Sequence, residues 1–181
     1  MSTIITSIDP GSPAMRAGLQ PGQQLLSING HAVVDVLDYR FYGYDPVSHL
    51  SLKNKDGSTQ KLTIHKAEGE DLGLNFDSYL MDEMRSCANH CIFCFVDQMP
   101  PGMRQTLYFK DDDARLSFLQ GNYITLTNLT EREAQRIIDL RISPINVSVH
   151  TTDPQLHCTM LGNKNAVRSL DYIRAFCKAG I

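Results

Sequence analysis

The sequence predicts an α/β protein in which a small β-rich domain precedes alternating strands and helices. Short apolar segments separated by turn residues fill the first 66 residues, a pattern typical of a β-rich unit. Beyond residue 80, strand-like and helix-like segments alternate, which implies a parallel sheet with right-handed crossovers. The predicted boundaries are 1–66 for the first domain, 67–80 for a linker or junction, and 81–181 for the second domain.

Turn chemistry predicts the elements of the first domain. The apolar residues of segment 4–8 indicate a strand, and Ser12 after it is placed to cap a short helix that begins at Pro13. Segment 24–28 is a further predicted strand. Segment 50–64 alternates on both sides of a Lys-Asp-Gly-Ser turn and therefore predicts a hairpin.

The second domain carries helix caps and strand alternation. Thr130 and Glu133 form a capping-box sequence, which predicts that a helix begins there. Strands are predicted at 123–127 and 145–150 on either side of this helix. A second amphipathic helix is expected to end at Gly180.

Alternation along the two strands separates polar from apolar side chains. If the sheet is part of a β/α barrel, the apolar sets pack under the helices and the polar sets face the lumen. Thr127, Asn128, Ser148 and His150 follow or end these strands, so we expect them to border a ligand cavity. The alternative for Ser148 and His150 is that they satisfy backbone groups at a strand end.

Composition and charge exclude several classes of protein. The net charge of −3 gives no basic footprint for nucleic acid, and no apolar run is long enough to span a membrane. The N-terminus lacks the pattern of a signal peptide, so a cytoplasmic location is expected. The acidic run at 111–113 is expected to be a solvated face or a helix start rather than a cation site.

Three of the five cysteines lie close together, at Cys87, Cys91 and Cys94. Without a secretion signal, such cysteines indicate metal ligands rather than disulfides. Thiolates select zinc, copper(I) or iron–sulfur clusters. Cys158 and Cys177 are scattered and are expected to be ordinary buried thiols.

The fourth ligand separates zinc from a cluster. A structural zinc site would need His90, His157 or Cys158 in addition to the three thiolates. A [4Fe–4S] cluster held by three cysteines instead keeps one iron open. The two alternatives imply different functions. A cluster with an open iron implies an enzyme that uses radical chemistry, and a zinc ion implies a non-enzymatic scaffold protein in which the metal holds the cysteine loop together.

The Cys-x3-Cys-x2-Cys spacing, with Phe93 before the last cysteine, resembles that of radical S-adenosylmethionine (SAM) enzymes. Further segments resemble one group of iron–sulfur oxidoreductases, which have an N-terminal PDZ-like domain, a radical-SAM core and a C-terminal domain of unknown function. These segments are 94–104, 107–113, 115–119, 121–122, 125–129 and 143–150. The resemblance implies a partial β/α barrel, a [4Fe–4S] cluster, SAM, and an electron donor such as ferredoxin or flavodoxin. It implies no particular substrate.

The first domain resembles a bacterial PDZ domain. The segments that carry the resemblance are Ile8-Asp9-Pro10-Gly11-Ser12-Pro13-Ala14, Ala17-Gly18-Leu19, Pro21-Gly22 and Leu26-Ser27-Ile28-Asn29-Gly30. In bacterial PDZ domains the loop that binds a peptide carboxylate lies upstream of the strand equivalent to 4–8, where this chain begins. We therefore expect residues 1–66 to be a structural or docking domain without tight binding of peptide C-termini.

The length of the second domain predicts an incomplete barrel. About 30 residues are needed for each βαβ unit and about 250 for a closed eight-unit barrel. Residues 81–181 are therefore expected to form the first half of a radical-SAM partial barrel. The chain is accordingly expected to be an N-terminal fragment that is incomplete for turnover.

Overall fold

The computed structural model describes residues 3–181 and divides into two compact units after Glu83. Both strands and helices are present, and the predicted α/β class is confirmed. Among residues 3–181, no helix combines the length and apolar character that a bilayer crossing requires.

The first unit is built on a four-stranded antiparallel sheet. Its elements are β1 (Ser7–Ile8), α1 (Pro13–Arg16), β2 (Gln24–Ile28), β3 (His31–Ala32), α2 (Val36–Tyr42), β4 (Val47–Lys53), β5 (Thr59–His65) and β6 (Leu74–Asn75). The order in the sheet is β3-β2-β4-β5, and β1 forms a separate antiparallel pair with β6. The core side chains of the sheet include Leu25, Ile28, Leu50, Leu52 and Ile64.

Local turn and cap signals placed most of these elements correctly. The Ser12 side chain accepts a hydrogen bond from the Met15 N–H at the start of α1, as predicted. The predicted hairpin is formed by β4 and β5. The first strand is shorter than predicted, because β1 covers only two residues and Ile4 contributes a single bridge to Gln24.

Residues 67–80, predicted as a linker or junction, contribute to the first unit. Leu72 and Leu74 are buried, and Leu74 belongs to β6. The Tyr39 hydroxyl on α2 donates to Asp71 Oδ1 at 2.9 Å and accepts from the Leu74 N–H at 3.3 Å. The first unit extends past residue 66 because this segment carries apolar side chains that need a core.

The second unit is mainly helical. It contains a 3₁₀ turn (Gln105–Tyr108), α3 (Ala114–Gln120), α4 (Glu131–Asp139), α5 (Pro154–Leu161) and α6 (Ala166–Ala179). The capping box and the Gly180 cap are both present, so the predicted helices α4 and α6 are confirmed. The core between them consists of Ile124, Leu126, Leu129, Ala134, Ile137, Tyr172 and Phe176.

The strands predicted at 123–127 and 145–150 are wrong in extent. Within residues 84–181 they are reduced to one parallel bridge, in which Ile124 N–H donates to Asn146 O and Ser148 N–H to Ile124 O. The chain leaves the extended conformation at Leu126, whose φ is +60°. The predicted parallel direction is present, but the ladder ends where the backbone turns.

The predicted apolar face is correct at one segment and partly wrong at the other. Ile124 and Leu126 are each 1 % exposed in the core of the second unit. Ile145 and Val147 pack against the same cluster. Val149 is 46 % exposed, because the segment does not continue as a strand under a helix.

The Glu133 carboxylate ties the start of α4 to Arg85, two residues before the first clustered cysteine. Burial opposes ionisation of Glu133, but hydrogen bonds from Arg85 and Thr130 outweigh it and lower the pKa from 4.5 to about 2. The stability that this depressed pKa contributes is therefore present above pH 4.5 and is lost as the pH falls toward 2.

We expect Glu133→Gln to lower the free energy of unfolding at neutral pH, because it removes the ion pair with Arg85. The loss should be only about 1 kcal/mol, because solvent screens the exposed part of this pair. The difference from the wild type should shrink as the pH falls from 4.5 toward 2. Urea unfolding at several pH values measures it. Glu131→Gln, whose carboxylate forms an exposed pair with Arg168, is the matched control. A difference that is independent of pH would contradict the prediction.

Candidate functional site

The loop that carries Cys87, Cys91 and Cys94 is fastened to the second unit by main-chain hydrogen bonds. Cys87 N–H donates to Lys110 O at 2.6 Å, beside an antiparallel bridge between Ser86 and Asp111. His90 N–H then donates to Leu161 O, and Ile92 N–H donates to Met160 O. The loop therefore has a defined backbone, held at one side by segment 110–111 and at the other by the last turn of α5.

Gly162 makes the contact with α5 possible. It caps α5 in the left-handed conformation, with φ at +58°. A Cβ atom at this position would lie 2.5 Å from the carbonyl oxygen of His90. Only glycine fits this helix end closely against the cysteine loop.

Asn89 holds the cysteine loop from inside. It is 2 % exposed, and its Nδ2 donates to Thr125 Oγ1 at 2.9 Å. Its Oδ1 accepts from Thr127 Oγ1 at 2.9 Å and from Asn163 Nδ2 at 2.7 Å. One buried side chain thus joins the loop to segment 125–127 and to the residues that follow α5.

Lys110 places a positive charge beside the loop. Its Nζ pairs with Asp97 Oδ1 at 2.6 Å and donates to Asn89 O at 3.5 Å. Burial raises the pKa of the Cys87 and Cys91 thiols, while the Lys110 ammonium lowers both. The ammonium therefore favours the thiolate form that metal ligation needs.

The clustered cysteines are free and partly buried. The Cys94 thiolate raises the pKa of Cys91, and the Cys91 thiolate raises that of Cys87. Each of these two neighbouring pairs of sulfurs therefore repels in the thiolate form. In the part of the chain from residue 3 to 181, no three His, Cys, Asp or Glu side chains stand close enough together to hold a metal ion.

Of the other predicted site residues, Phe93 lies in the loop itself, and Thr127, Asn128 and His150 contact segment 86–93. The Phe93 and His150 rings lie 4.6 Å apart between centroids. Asn128 Nδ2 donates to Ser86 O at 3.3 Å and to Asp112 O at 3.1 Å. Thr127 donates to Asn89, and Ser148 uses its backbone N–H in the parallel bridge described above.

Two histidines beside the loop have unpartnered ring nitrogens. Ser169 Oγ donates to Ala166 O, so it accepts from His157 Nε2 at 3.1 Å. This fixes the His157 tautomer and leaves Nδ1 as a buried acceptor without a partner in the described chain. His150 Nδ1 is also buried and without a partner there, and the two rings lie 6.1 Å apart.

Two of the three residues weighed as a fourth zinc ligand, His157 and Cys158, form hydrogen bonds outside the cysteine loop. His157 is 1 % exposed and pairs with Ser169. The Cys158 thiol donates to Lys164 O at 3.6 Å. The expectation that Cys158 and Cys177 are buried is wrong, since Cys158 is half-buried and Cys177 is exposed on α6.

An open cleft of about 530 Å³ begins at Thr127 and Asn128. Its walls continue along the first turns of α4 and α6, where Arg132 and Arg168 line it. Thr127 and Asn128 therefore line an open cleft, and their contact with a ligand stays a prediction.

The acidic run at 111–113 differs from expectation, because two of its three carboxylates are buried. Asp113 caps α3 and pairs with Arg115 at 2.6 Å. Asp112 is 1 % exposed and contacts Thr125. The helix-start alternative is correct for Asp113, and a solvated face is wrong for Asp112 and Asp113.

Sequence reasoning missed Asn89, Lys110 and Gly162. Gly162 had a signal, because Asp153-Pro154 is an N-cap followed by the first helical position and a glycine follows eight residues later, which together predict α5. Asn89 and Lys110 act through partners far along the chain, and no local pattern marks them.

Two family models match the chain. Residues 66–181 match a radical SAM-like domain, and residues 4–53 match a PDZ domain. The first match covers more than half of the chain. No curated protein matches it.

Proposed function

The chain belongs to the radical SAM-like family and has a PDZ domain at its N-terminal side, and on this basis we propose that Cys87, Cys91 and Cys94 bind one [4Fe–4S] cluster. Held by these three thiolates, such a cluster would keep one iron open for SAM and would supply the one-electron chemistry that starts a radical reaction. The proposed activity is the start of radical chemistry on a substrate that the site does not specify.

The observation that carries the proposal is the cysteine loop itself. Three free thiols project from one backbone that is held in place at Cys87, His90 and Ile92. Soft thiolates fit iron–sulfur clusters, and three of them leave one iron for a further ligand.

The residues around the loop support a ligand beside the cluster. Asn128 Nδ2 donates to Ser86 O and to Asp112 O, and its Oδ1 is a hydrogen-bond acceptor. His150 Nδ1 is an unpartnered buried atom next to the Phe93 ring. We assign Phe93, Asn128, Ser148 and His150 to contacts with SAM or substrate. Thr127 borders the cleft and positions Asn89.

The electron must come from a partner such as ferredoxin or flavodoxin. Ile92 and Phe95 flank the cysteines and are 71 % and 79 % exposed. Apolar side chains at this point of the loop are suited to a short-lived contact with a small redox protein. We propose that the electron enters from this side of the loop.

Metal analysis of the anaerobically reconstituted chain tests the proposal. We expect about four iron and four sulfide per chain, a paramagnetic signal on reduction, and a change of that signal when SAM is added. A zinc-stapled scaffold would instead bind one zinc tightly, without iron or sulfide. That second result would overturn the proposed function.

A further inference from the structure

A chain of buried hydrogen bonds runs from Asp112 to the cysteine loop. Asp112 Oδ2 lies 2.6 Å from Thr125 Oγ1, and Thr125 Oγ1 lies 2.9 Å from Thr127 Oγ1. Thr127 Oγ1 in turn lies 2.9 Å from Asn89 Oδ1. The second carboxylate oxygen of Asp112 accepts from Thr125 N–H at 2.6 Å.

The number of hydrogens decides the protonation state of Asp112. Three oxygen–oxygen contacts each need one hydrogen, and the two threonine hydroxyls supply only two. With an ionised Asp112, one contact would press two oxygen lone pairs together. A neutral carboxyl supplies the third hydrogen, and every contact then has one donor and one acceptor.

The count does not depend on how the Asn89 amide is oriented. With the amide reversed, its NH₂ group donates to Thr127, and its oxygen then needs a hydrogen from Thr125. Three contacts again need one hydrogen each, and the two hydroxyls supply only two. One hydrogen is therefore missing in either orientation of the Asn89 amide.

The surroundings also disfavour a charge on Asp112. Its side chain is 1 % exposed, and burial raises its pKa by more than the hydrogen bonds with Thr125 lower it, with the Asp111 carboxylate adding a smaller increase. The nearby cations are engaged, since Arg115 pairs with Asp113 and Lys110 pairs with Asp97. Arg85 contributes only main-chain groups here, and its guanidinium pairs with Glu133. The Cys87 and Cys91 thiols are also near Asp112.

We propose that Asp112 is a neutral carboxylic acid that donates to Thr125 and thereby positions the cysteine loop. Its proton sets the direction of the chain: Asp112 donates to Thr125, Thr125 to Thr127, and Thr127 to Asn89. Asn89 then has both its donor and its acceptor sides fixed within the loop. The protonation state stands by itself, whereas the link to cluster binding rests on the proposed function.

The pH dependence of stability tests the protonation state. An acid whose folded pKa is raised stabilises the folded form below its unfolded pKa of 3.8 and loses this contribution as the pH rises. Asp112→Asn keeps the donor but cannot ionise. We expect the urea midpoint of Asp112→Asn to rise relative to that of the wild type between pH 4 and 7. The folding equilibrium constant of the variant should increase relative to the wild type by up to about tenfold per pH unit.

Asp111→Asn is the control for these measurements, because Asp111 accepts from Asn122 and from Asp113 N–H and is only partly buried. It should show no such gain. A pH-independent difference for Asp112→Asn, or a loss with rising pH, would overturn the proposal. Neither measurement requires the cluster, so the result is independent of the proposed function.

Infrared spectroscopy gives a direct readout. The full chain at pH 7 should show the carbonyl stretch of a protonated carboxylic acid, and this band should be absent from Asp112→Asn and present in Asp111→Asn. For the positioning role, Asp112→Val should lower the iron content after reconstitution, and Asp112→Asn should restore it. Absence of the band from the wild type would overturn the proposal. Equal iron content in the valine and asparagine variants would overturn the positioning role alone.

Discussion

Cys91→Ala is expected to abolish cluster binding. The side chain supplies one of three thiolate ligands, and two thiolates do not hold a cluster whose fourth iron already lacks a protein ligand. Iron and sulfide content after anaerobic reconstitution should fall close to zero. The paramagnetic signal of the reduced protein and its change on addition of SAM should disappear with them. Cys87→Ala and Cys94→Ala should behave in the same way.

The two remaining cysteines provide matched controls. Cys158 donates to a backbone carbonyl at the end of α5, and Cys177 is exposed on α6. Replacement of either by alanine should leave the iron content and the paramagnetic signal unchanged. Retention of both properties by Cys91→Ala would show that the ligand assignment is wrong, whatever the controls do.

The features that sequence predicts here are those whose causes are local. Ser12 and Thr130 cap helices through partners three residues away, and the hairpin of β4 and β5 follows from its turn and its alternation. The proposed ligand role of the three cysteines rests on an equally local pattern, because their spacing places three thiols on one short loop, and it stays a prediction. Each of these interactions can be read within a window of about a turn or a hairpin.

The features that sequence did not predict depend on distant partners. Segment 145–150 has a strand-like pattern, but it finds only one bridging partner, because the backbone of segment 123–127 turns at Leu126. In the sequence, Asn89 is an ordinary loop residue. Its hydrogen bonds with Thr125, Thr127 and Asn163 form only when the fold brings these residues together. Alternating residue types predict which face of a segment is apolar. Whether the segment forms a strand also depends on whether the fold places a second strand beside it.

Gly162→Ala is expected to loosen the cysteine loop more than any other small change on α5. The new Cβ would lie 2.5 Å from the carbonyl oxygen and 3.0 Å from the carbonyl carbon of His90. These are backbone atoms, so no side-chain rotation relieves the clash. The loop and the end of α5 must move apart, which weakens the hydrogen bond from His90 N–H to Leu161 O. We expect a loss of about 2–4 kcal/mol in the free energy of unfolding.

Gly121→Ala separates this clash from backbone strain. Gly121 caps α3 in the same left-handed conformation, with φ at +78°, and a Cβ there would meet nothing closer than 3.8 Å. Gly121→Ala should therefore lower the free energy of unfolding by only about 1 kcal/mol, the cost of placing alanine in the left-handed conformation. Both reconstituted variants are compared by the rate at which an iron chelator bleaches the visible absorbance. Gly162→Ala should lose its cluster markedly faster than the wild type, whereas Gly121→Ala should lose it at the wild-type rate. Equal rates for the two variants would mean that the contact between α5 and His90 does not hold the cysteine loop.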